Sequence, residues 1–487
     1  MKVPKLFQNT AIYTIVMVLQ KGIAFFLLPI YTYYLTPGDY GILGISSSLS
    51  SFLSIFLTFS LGAAAGRFYY IHNKDEVYAK RLYGTIVSVV LINSVIFGAI
   101  FILCHQWLID PFLGNIDFYP YIFIGFLNVI ITPLYLYFQE YLQTRQEGAH
   151  FGINSMCFFI LNVTLTIVAL KVLQLGVMGV LLSNLITSFV FFIYAAILFV
   201  RKLDIGVDKK ILKNSLSYSL PLVPHALANW SNGTLDRLLI NCLKSESAAG
   251  LYNLGQQYSS VMNTICNAIN QAYLPWFFEK VNYGELGIKQ IIKTAEAIVC
   301  LLAFVSVVMS LFSKELLDLM ITNPAYDGVW KIIPLLVTAY LFHGLYFFFV
   351  NVLFLKDTKL VFTITLVTLG VNIGANLFLI HRYGYMGSAF AFFLTYLTQS
   401  VLSLIVSKLR NKTIRLNWFR MFLICFVALT ISMSSILMEE WTMWKAVFVK
   451  LLITGVCVLF LFVKYKDVLY NLKKNYVHIY TSNTVQK

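Results

Sequence analysis

The sequence predicts an all-α polytopic membrane protein with 14 transmembrane helices. Twelve of these are expected to form two pseudo-symmetric six-helix lobes, a parallel repeat around a central cavity, and the last two are extra C-terminal helices. Three observations lead there. The composition is 59% hydrophobic and 12% charged, with a mean hydropathy of +0.77, too apolar for a soluble chain of 487 residues. Apolar stretches of about 20 residues, the length that spans hydrocarbon, recur along nearly the whole chain. The charges between those stretches alternate from one side to the other.

The expected spans are 9–34, 42–66, 82–104, 119–142, 151–171, 177–200, 216–242, 249–275, 290–312, 331–355, 360–380, 385–407, 419–438 and 445–463. The first is too long for a signal-peptide core and lacks a small-x-small cleavage site, so it reads as a retained span. With the N-terminus inside, the inside segments carry 27 Lys and Arg and the outside segments 7. Cytoplasmic loops hold the excess of positive charge, so both termini are expected in the cytoplasm and the chain in the plasma (inner) membrane. The same bias accounts for the net charge of +15 and removes nucleic acid as a partner. The seven cysteines lie scattered through spans without a C-x-x-C pair and read as small packing residues. No metal site and no catalytic residue is expected.

The chain repeats itself. Gly176-Val177-Met178-Gly179 opens span 6 and Gly384-Tyr385-Met386-Gly387 opens span 12. Tyr137–Leu142 resembles Phe348–Leu353, and Tyr40-Gly41-Ile42 corresponds to Ala249-Gly250-Leu251. The order is kept and the offsets nearly agree. Six spans per copy is even, so both copies point the same way, as in parallel-repeat transporters. The expected divisions are 1–206 for the N-lobe, 207–412 for the C-lobe, and 413–487 for spans 13 and 14 with a basic tail.

Polar stripes follow the repeat. Ser47, Ser51, Ser54 and Thr58 lie on one face of span 2. Gln256, Ser260, Asn263 and Asn267 occupy the corresponding positions of span 8. An amide in hydrocarbon needs a partner or a wet surface, so the stripes read either as a shared cavity lining or as interhelical hydrogen-bond contacts. Span 7 holds Pro221, Pro224, His225, Asn229, Gly233, Asp236 and Arg237, and is expected to be bent or broken. Lys21 sits near the middle of span 1, where an ion is functional by default. It is the candidate cavity cation. Asp236 and Arg237 read as a structural ion pair or as cavity groups, and His225 and Asn229 as cavity groups. Gly62-x-x-x-Gly66 and Gly370-x-x-x-Gly374 are expected to be close-packing motifs.

These features together resemble a known family. Tyr34-Leu35-Thr36-Pro37-Gly38-Asp39-Tyr40-Gly41 resembles the signature after span 1 of polysaccharide-biosynthesis flippases. Pro221-Leu222-Val223-Pro224, Asp236-Arg237 and Gly250-Leu251-Tyr252 resemble the pattern of their second lobe. That family belongs to the multidrug, oligosaccharidyl-lipid and polysaccharide exporter superfamily. The resemblance implies a V-shaped cavity between the lobes. It also implies translocation of undecaprenyl-diphosphate-linked oligosaccharides to the outer leaflet, for O-antigen, capsule or exopolysaccharide. The implied partners are that lipid-linked oligosaccharide, membrane lipid, and a polymerase with its chain-length regulator. No cofactor is implied, and coupling to a proton or sodium gradient is compatible with it. Serines and amides would replace water at sugar hydroxyls, and a buried cation would offset the diphosphate. The rival readings are a drug/cation antiporter of the same superfamily and a membrane sugar polymerase or acyltransferase.

Overall fold

A computed structural model of the chain describes residues 16, 27–72, 75–355, 358–411 and 413–482. Among the described residues, 11 helices are long and apolar enough to cross a membrane, and they correspond to expected spans 2–6 and 9–14. The protein is therefore an all-helical, multi-pass membrane protein. Of span 1 the structure describes residue 16 and the C-terminal end, α1 (Leu28–Tyr34), so Lys21 lies outside the described residues. Spans 7 and 8 form helices of 21 and 36 residues, α9 (Val223–Leu243) and α10 (Glu246–Val281). Both are long enough to cross, and it is their polar side chains that set them apart from the other spans.

The chain divides into two compact units. The first runs to Leu254 and includes Met320–Tyr326 and Ile380–Tyr385. The second takes Gly255–Leu319, Asp327–Leu379 and Met386–Lys487. Span 7 thus packs with the first unit, whereas the repeat assigns it to the second lobe.

In unit 1, α2 (Pro37–Thr58) begins where the sequence supplies a complete start signal. Thr36 caps the helix, Pro37 occupies its first turn, and the Asp39 side chain closes a capping box on the Thr36 N–H at 3.0 Å. The expected span 42–66 is not continuous. Phe59 and Ser60 adopt left-handed φ of 44° and 53°, and the helix resumes as α3 (Leu61–Ile71). No glycine or proline marks that break. Two non-glycine residues in this region each cost roughly 1–3 kcal/mol, which the surrounding packing must offset. That packing comes from α4 (Glu76–Leu103), α5 (Phe123–Thr144), α6 (Gly148–Ile167) and α7 (Gly176–Lys202). Tyr83, Tyr137, Phe138, Tyr141 and Phe199 form the core between them. After α5, Arg145 pairs with Glu76 at 2.6 Å and with Glu147 at 3.1 Å. Burial would raise the Glu147 carboxyl, but hydrogen bonds from His150 and Arg145 outweigh it and hold the group below its usual range.

The expected break in span 7 lies at one end. Amphipathic α8 (Lys209–Ser219) packs on α3, a single 3-10 turn spans Leu220–Leu222, and α9 then runs unbroken through Gly233. Pro221 and Pro224 sit at this joint, where their missing N–H groups cost little.

Unit 2 contains α11 (Gly284–Leu311), α13 (Ile333–Leu353), α14 (Thr358–Tyr383), α15 (Tyr385–Arg410), α16 (Trp418–Leu437) and α17 (Met443–Ser482). Short α12 (Ser313–Met320) follows α11. Nearly every residue of α13 is buried. Spans 13 and 14 pack into unit 2: α16 lies on α11 and α13, and α17 on α11. Lys450, near the start of expected span 445–463, is 2% exposed within α17 and pairs with Glu315 of α12 at 2.6 Å.

The two G-x-x-x-G motifs do not pack as expected. Among the described residues, a methyl group added at Gly66, Gly370 or Gly374 would meet nothing within 4 Å, and of the four glycines Gly62 is the one closely covered, by the Glu140 carboxylate.

Candidate functional site

The polar stripe of α2 lies on a face that is partly open. Ser47 and Ser51 are exposed, while Ser54 and Thr58 are half-buried. Ser51 and Thr58 donate to the carbonyls of Ser47 and Ser54, both at 2.8 Å, so these hydroxyls keep one hydrogen bond inside the helix and acceptor capacity outside it. The adjacent serines behave differently. Ser46 and Ser48 are buried, and the Ser48 carbonyl accepts from Trp230 Nε1 of α9 at 2.9 Å. The Trp230 ring packs on Phe52 with centroids 4.9 Å apart. Trp230 therefore holds α9 against α2 and leaves the outer stripe open.

α9 sorts its polar residues by face. His225 is half-buried and Asn229 exposed, and their side chains meet at 3.1 Å between Nε2 and Nδ2. Ser231, Asn232 and Asp236 are buried. Asp236 accepts from the Tyr252 hydroxyl at 2.7 Å, so two residues of the second-lobe motif meet in the folded chain. Arg237, beside it, is half-buried. The structure thus joins His225 with Asn229 on an open face, and encloses Asp236.

The start of α10 crosses α2 within unit 1. A side chain at Gly250 would fall on the Pro37 carbonyl and lie 2.8 Å from the Gly41 N; one at Gly41 would fall on the Glu246 carbonyl. Asn253 seats against Gly44 and donates to the Tyr40 carbonyl at 3.3 Å. The signature glycines are thus backbone contacts, positions where only a missing Cβ lets two helices touch.

Farther along α10, in unit 2, the amides divide. Gln256 is buried and donates to the Tyr340 hydroxyl at 3.1 Å, an interhelical contact. Ser260, Asn263 and Asn267 are half-buried on the next face. Asn267 Nδ2 donates to Asn263 Oδ1 at 2.9 Å, which orders the pair. Asn351 of α13 donates to Asn270 Oδ1 at 2.9 Å and links the two helices. Sequence reasoning overlooked Trp230, Tyr252 and Tyr340 as the groups that select which polar residues stay open. Each is aromatic with one polar atom, the kind of side chain that needs a partner once buried, and that signal was present.

Comparison with known proteins agrees with this architecture. The chain is 25% identical over 322 residues to "Lsg locus putative protein 1" of Haemophilus influenzae, covering 64% of this chain and 76% of that one. Among solved structures it is similar to the lipid II flippase MurJ in an inward closed conformation, with a TM-score of 0.68 and 14% identity over 92% of this chain and 99% of that one. It is also similar to an inward-facing multidrug resistance MATE family transporter of the MOP superfamily, with a TM-score of 0.60 and 13% identity over 82% of this chain and 98% of that one. At these identities the two structures establish the fold. The family model for polysaccharide biosynthesis proteins matches residues 6–281, more than half of the sequence, and the chain belongs to that family.

Proposed function

We propose that the protein is a flippase that moves polyprenyl-diphosphate-linked oligosaccharides from the cytoplasmic to the outer leaflet of the plasma membrane by alternating access. The observation that carries this reading is the half-buried Ser260, Asn263 and Asn267 face on a helix of membrane length. Ordered amides of this kind can replace water at sugar hydroxyls, and in hydrocarbon they are costly unless something polar passes them. Ser47, Ser51, Ser54, Thr58, His225 and Asn229 are proposed as the corresponding surface of the other copy, and Lys21 as the cation that meets the diphosphate. Arg237 is its candidate companion. Gln256 and Asp236, both enclosed, are assigned to packing.

The two-lobe repeat is part of the proposal. Gly41 meets Gly250 and Gly44 meets Asn253, and each pair is 209 residues apart. Equivalent positions meeting each other is what a two-fold axis along the membrane normal produces. The antiporter reading draws on the MATE likeness, but that structure covers 82% of this chain against 92% for the flippase.

Complementation of a flippase-deficient strain tests the function. Lys21→Ala is expected to lower glycan export at least about tenfold while protein still accumulates, since a charge-assisted contact is lost where water is scarce. Lys21→Arg should retain part of the activity. Asn263→Leu with Asn267→Leu should also lower export at normal abundance. Full export by Lys21→Ala removes the cation role, and loss of protein together with activity makes Lys21 a structural partner. Orientation is tested separately: reporter fusions at Lys209 should read cytoplasmic, and fusions at Asn115 and Asn323 external. A cytoplasmic signal at either asparagine overturns the proposed topology.

A further inference from the structure

Two short segments of the later sequence leave the unit of their neighbours. Met320–Tyr326 and Ile380–Tyr385 fall in unit 1, while the residues on either side of each belong to unit 2. The first lies between spans 9 and 10, the second between spans 11 and 12, and under the proposed topology both are outside. Met320–Tyr326 is held by the C-terminal end of α1, where the last carbonyls have no partner within the helix. The Thr32 carbonyl accepts from Asn323 Nδ2 at 3.2 Å, and the Leu35 carbonyl from the Tyr326 hydroxyl at 3.0 Å, both donors lying 291 residues further on. Asn323 Oδ1 accepts from the Ala325 N–H at 3.0 Å, which fixes the turn that presents its amide. Tyr326 is buried, and its ring meets Tyr40 edge-on with centroids 6.2 Å apart. Tyr40 adjoins the tight contact of Gly41 with Gly250 and gives its carbonyl to Asn253. One segment thus fastens α1, α2 and the start of α10 together.

The second segment has a simpler attachment: the His381 carbonyl accepts from Lys244 Nζ, at the end of α9, at 3.0 Å. Each segment has a glycine in the left-handed region at its C-terminal side, Gly328 with φ 88° and Gly384 with φ 60°. A side chain would strain the backbone there, and small residues at element ends are common hinges. Just beyond Gly328 the chain is anchored again, for Val329 and Trp330 are buried in unit 2. A strap with few attachments, a glycine at its end and a firm anchor beyond it is built to come away as a piece. Its hydrogen bonds run from side chains to backbone carbonyls, and water can replace such donors at a small net cost.

We propose that Met320–Tyr326 is an external latch. Engaged, it holds the outer ends of α1 and α2 against the start of α10. Its release, with Gly328 as the hinge, is the outward-opening step of the transport cycle, and Ile380–Tyr385 lets go of Lys244 in the same step. The step the latch serves rests on the flippase reading above; the latch itself rests on the contacts of Asn323 and Tyr326.

The test reads the latch without any glycan. Leu35→Cys is placed in the full-length protein and probed in intact cells with a membrane-impermeant maleimide, and the same protein without that cysteine gives the background. Leu35 is 1% exposed, so labelling is expected to be slow. Asn323→Ala with Tyr326→Phe removes both hydrogen bonds and should speed labelling about tenfold or more, the shift expected from losing two bonds of ordinary net strength. Tyr326→Phe alone keeps the ring and should give an intermediate rate at wild-type abundance. In a second arm, Thr32→Cys and Asn323→Cys are joined by a short cleavable bifunctional thiol reagent. Export should stop in the joined protein and return when the linker is cleaved. Labelling that stays slow in the double variant overturns the proposal, and so does undiminished export by the joined protein. Fast labelling found only together with loss of protein from the membrane makes the contact structural and equally overturns it. Labelling needs no substrate, so it decides the latch even where the flippase reading fails.

Discussion

Gly250→Ala is expected to destabilise the protein by about 3 kcal/mol or more, at or above the top of the usual range for overpacking. The added methyl would fall on the Pro37 carbonyl and lie 2.8 Å from the Gly41 N. Both obstacles are backbone, so neither can rotate aside. α2 and α10 would have to separate where Asn253 donates to the Tyr40 carbonyl, and that hydrogen bond would be lost with the contact. Thermal unfolding in detergent and the amount of protein in membranes measure this. Gly370→Ala is the control: its methyl meets nothing within 4 Å among the described residues, and alanine is the better helix former, so its Tm should stay level or rise slightly. Equal behaviour of the two variants would show that the crossing is not tight.

Lys450→Met is expected to cost about 3–5 kcal/mol, because it strands a carboxylate. The lysine is 2% exposed and its Nζ lies 2.6 Å from Glu315 Oε1. Glu315 Oε2 has no hydrogen-bond partner among the described residues, so the ion pair is the main compensation for burying that charge. Lys450→Met combined with Glu315→Leu should recover most of the lost stability, since an apolar pair of similar volume often replaces a buried ion pair without penalty. A double-mutant cycle on Tm reads the coupling. An unchanged Tm in Lys450→Met would mean that Glu315 finds water and that the pair does not fasten α17 to α12.

Much of the architecture was legible because membrane burial is a local requirement. A run of apolar residues answers it wherever the run lands, and 11 of the expected spans reappear as helices of spanning length among the described residues. The start of α2 was missed by five residues, although its signal is local: the Thr36 cap, Pro37 in the first turn and the Asp39 capping box lie within four residues. The repeat offset brought out Gly41 and Gly250 as equivalents before their contact was known.

The candidate site was only half legible. Helical spacing says which residues share a face, and Ser47, Ser51 and Asn263, Asn267 do so. It does not say what covers that face. Gln256 belongs to the same stripe by spacing, yet Tyr340 takes its amide inside unit 2. The Asp236 carboxylate also accepts from Tyr252, sixteen residues on, a contact that helical spacing does not announce.

By itself, then, the sequence determined the membrane class, the family signature, eleven helices of spanning length among the described residues and the periodicity of the polar faces. All of these rest on neighbours within a few helical turns. Only the tertiary structure decided that α2 breaks at Phe59 and Ser60, that Lys450 is buried against Glu315, and which polar side chains stay open. The reason is physical. A buried polar group is stable only if a partner arrives from elsewhere in the chain, and that partner's identity is a property of packing that no local pattern encodes.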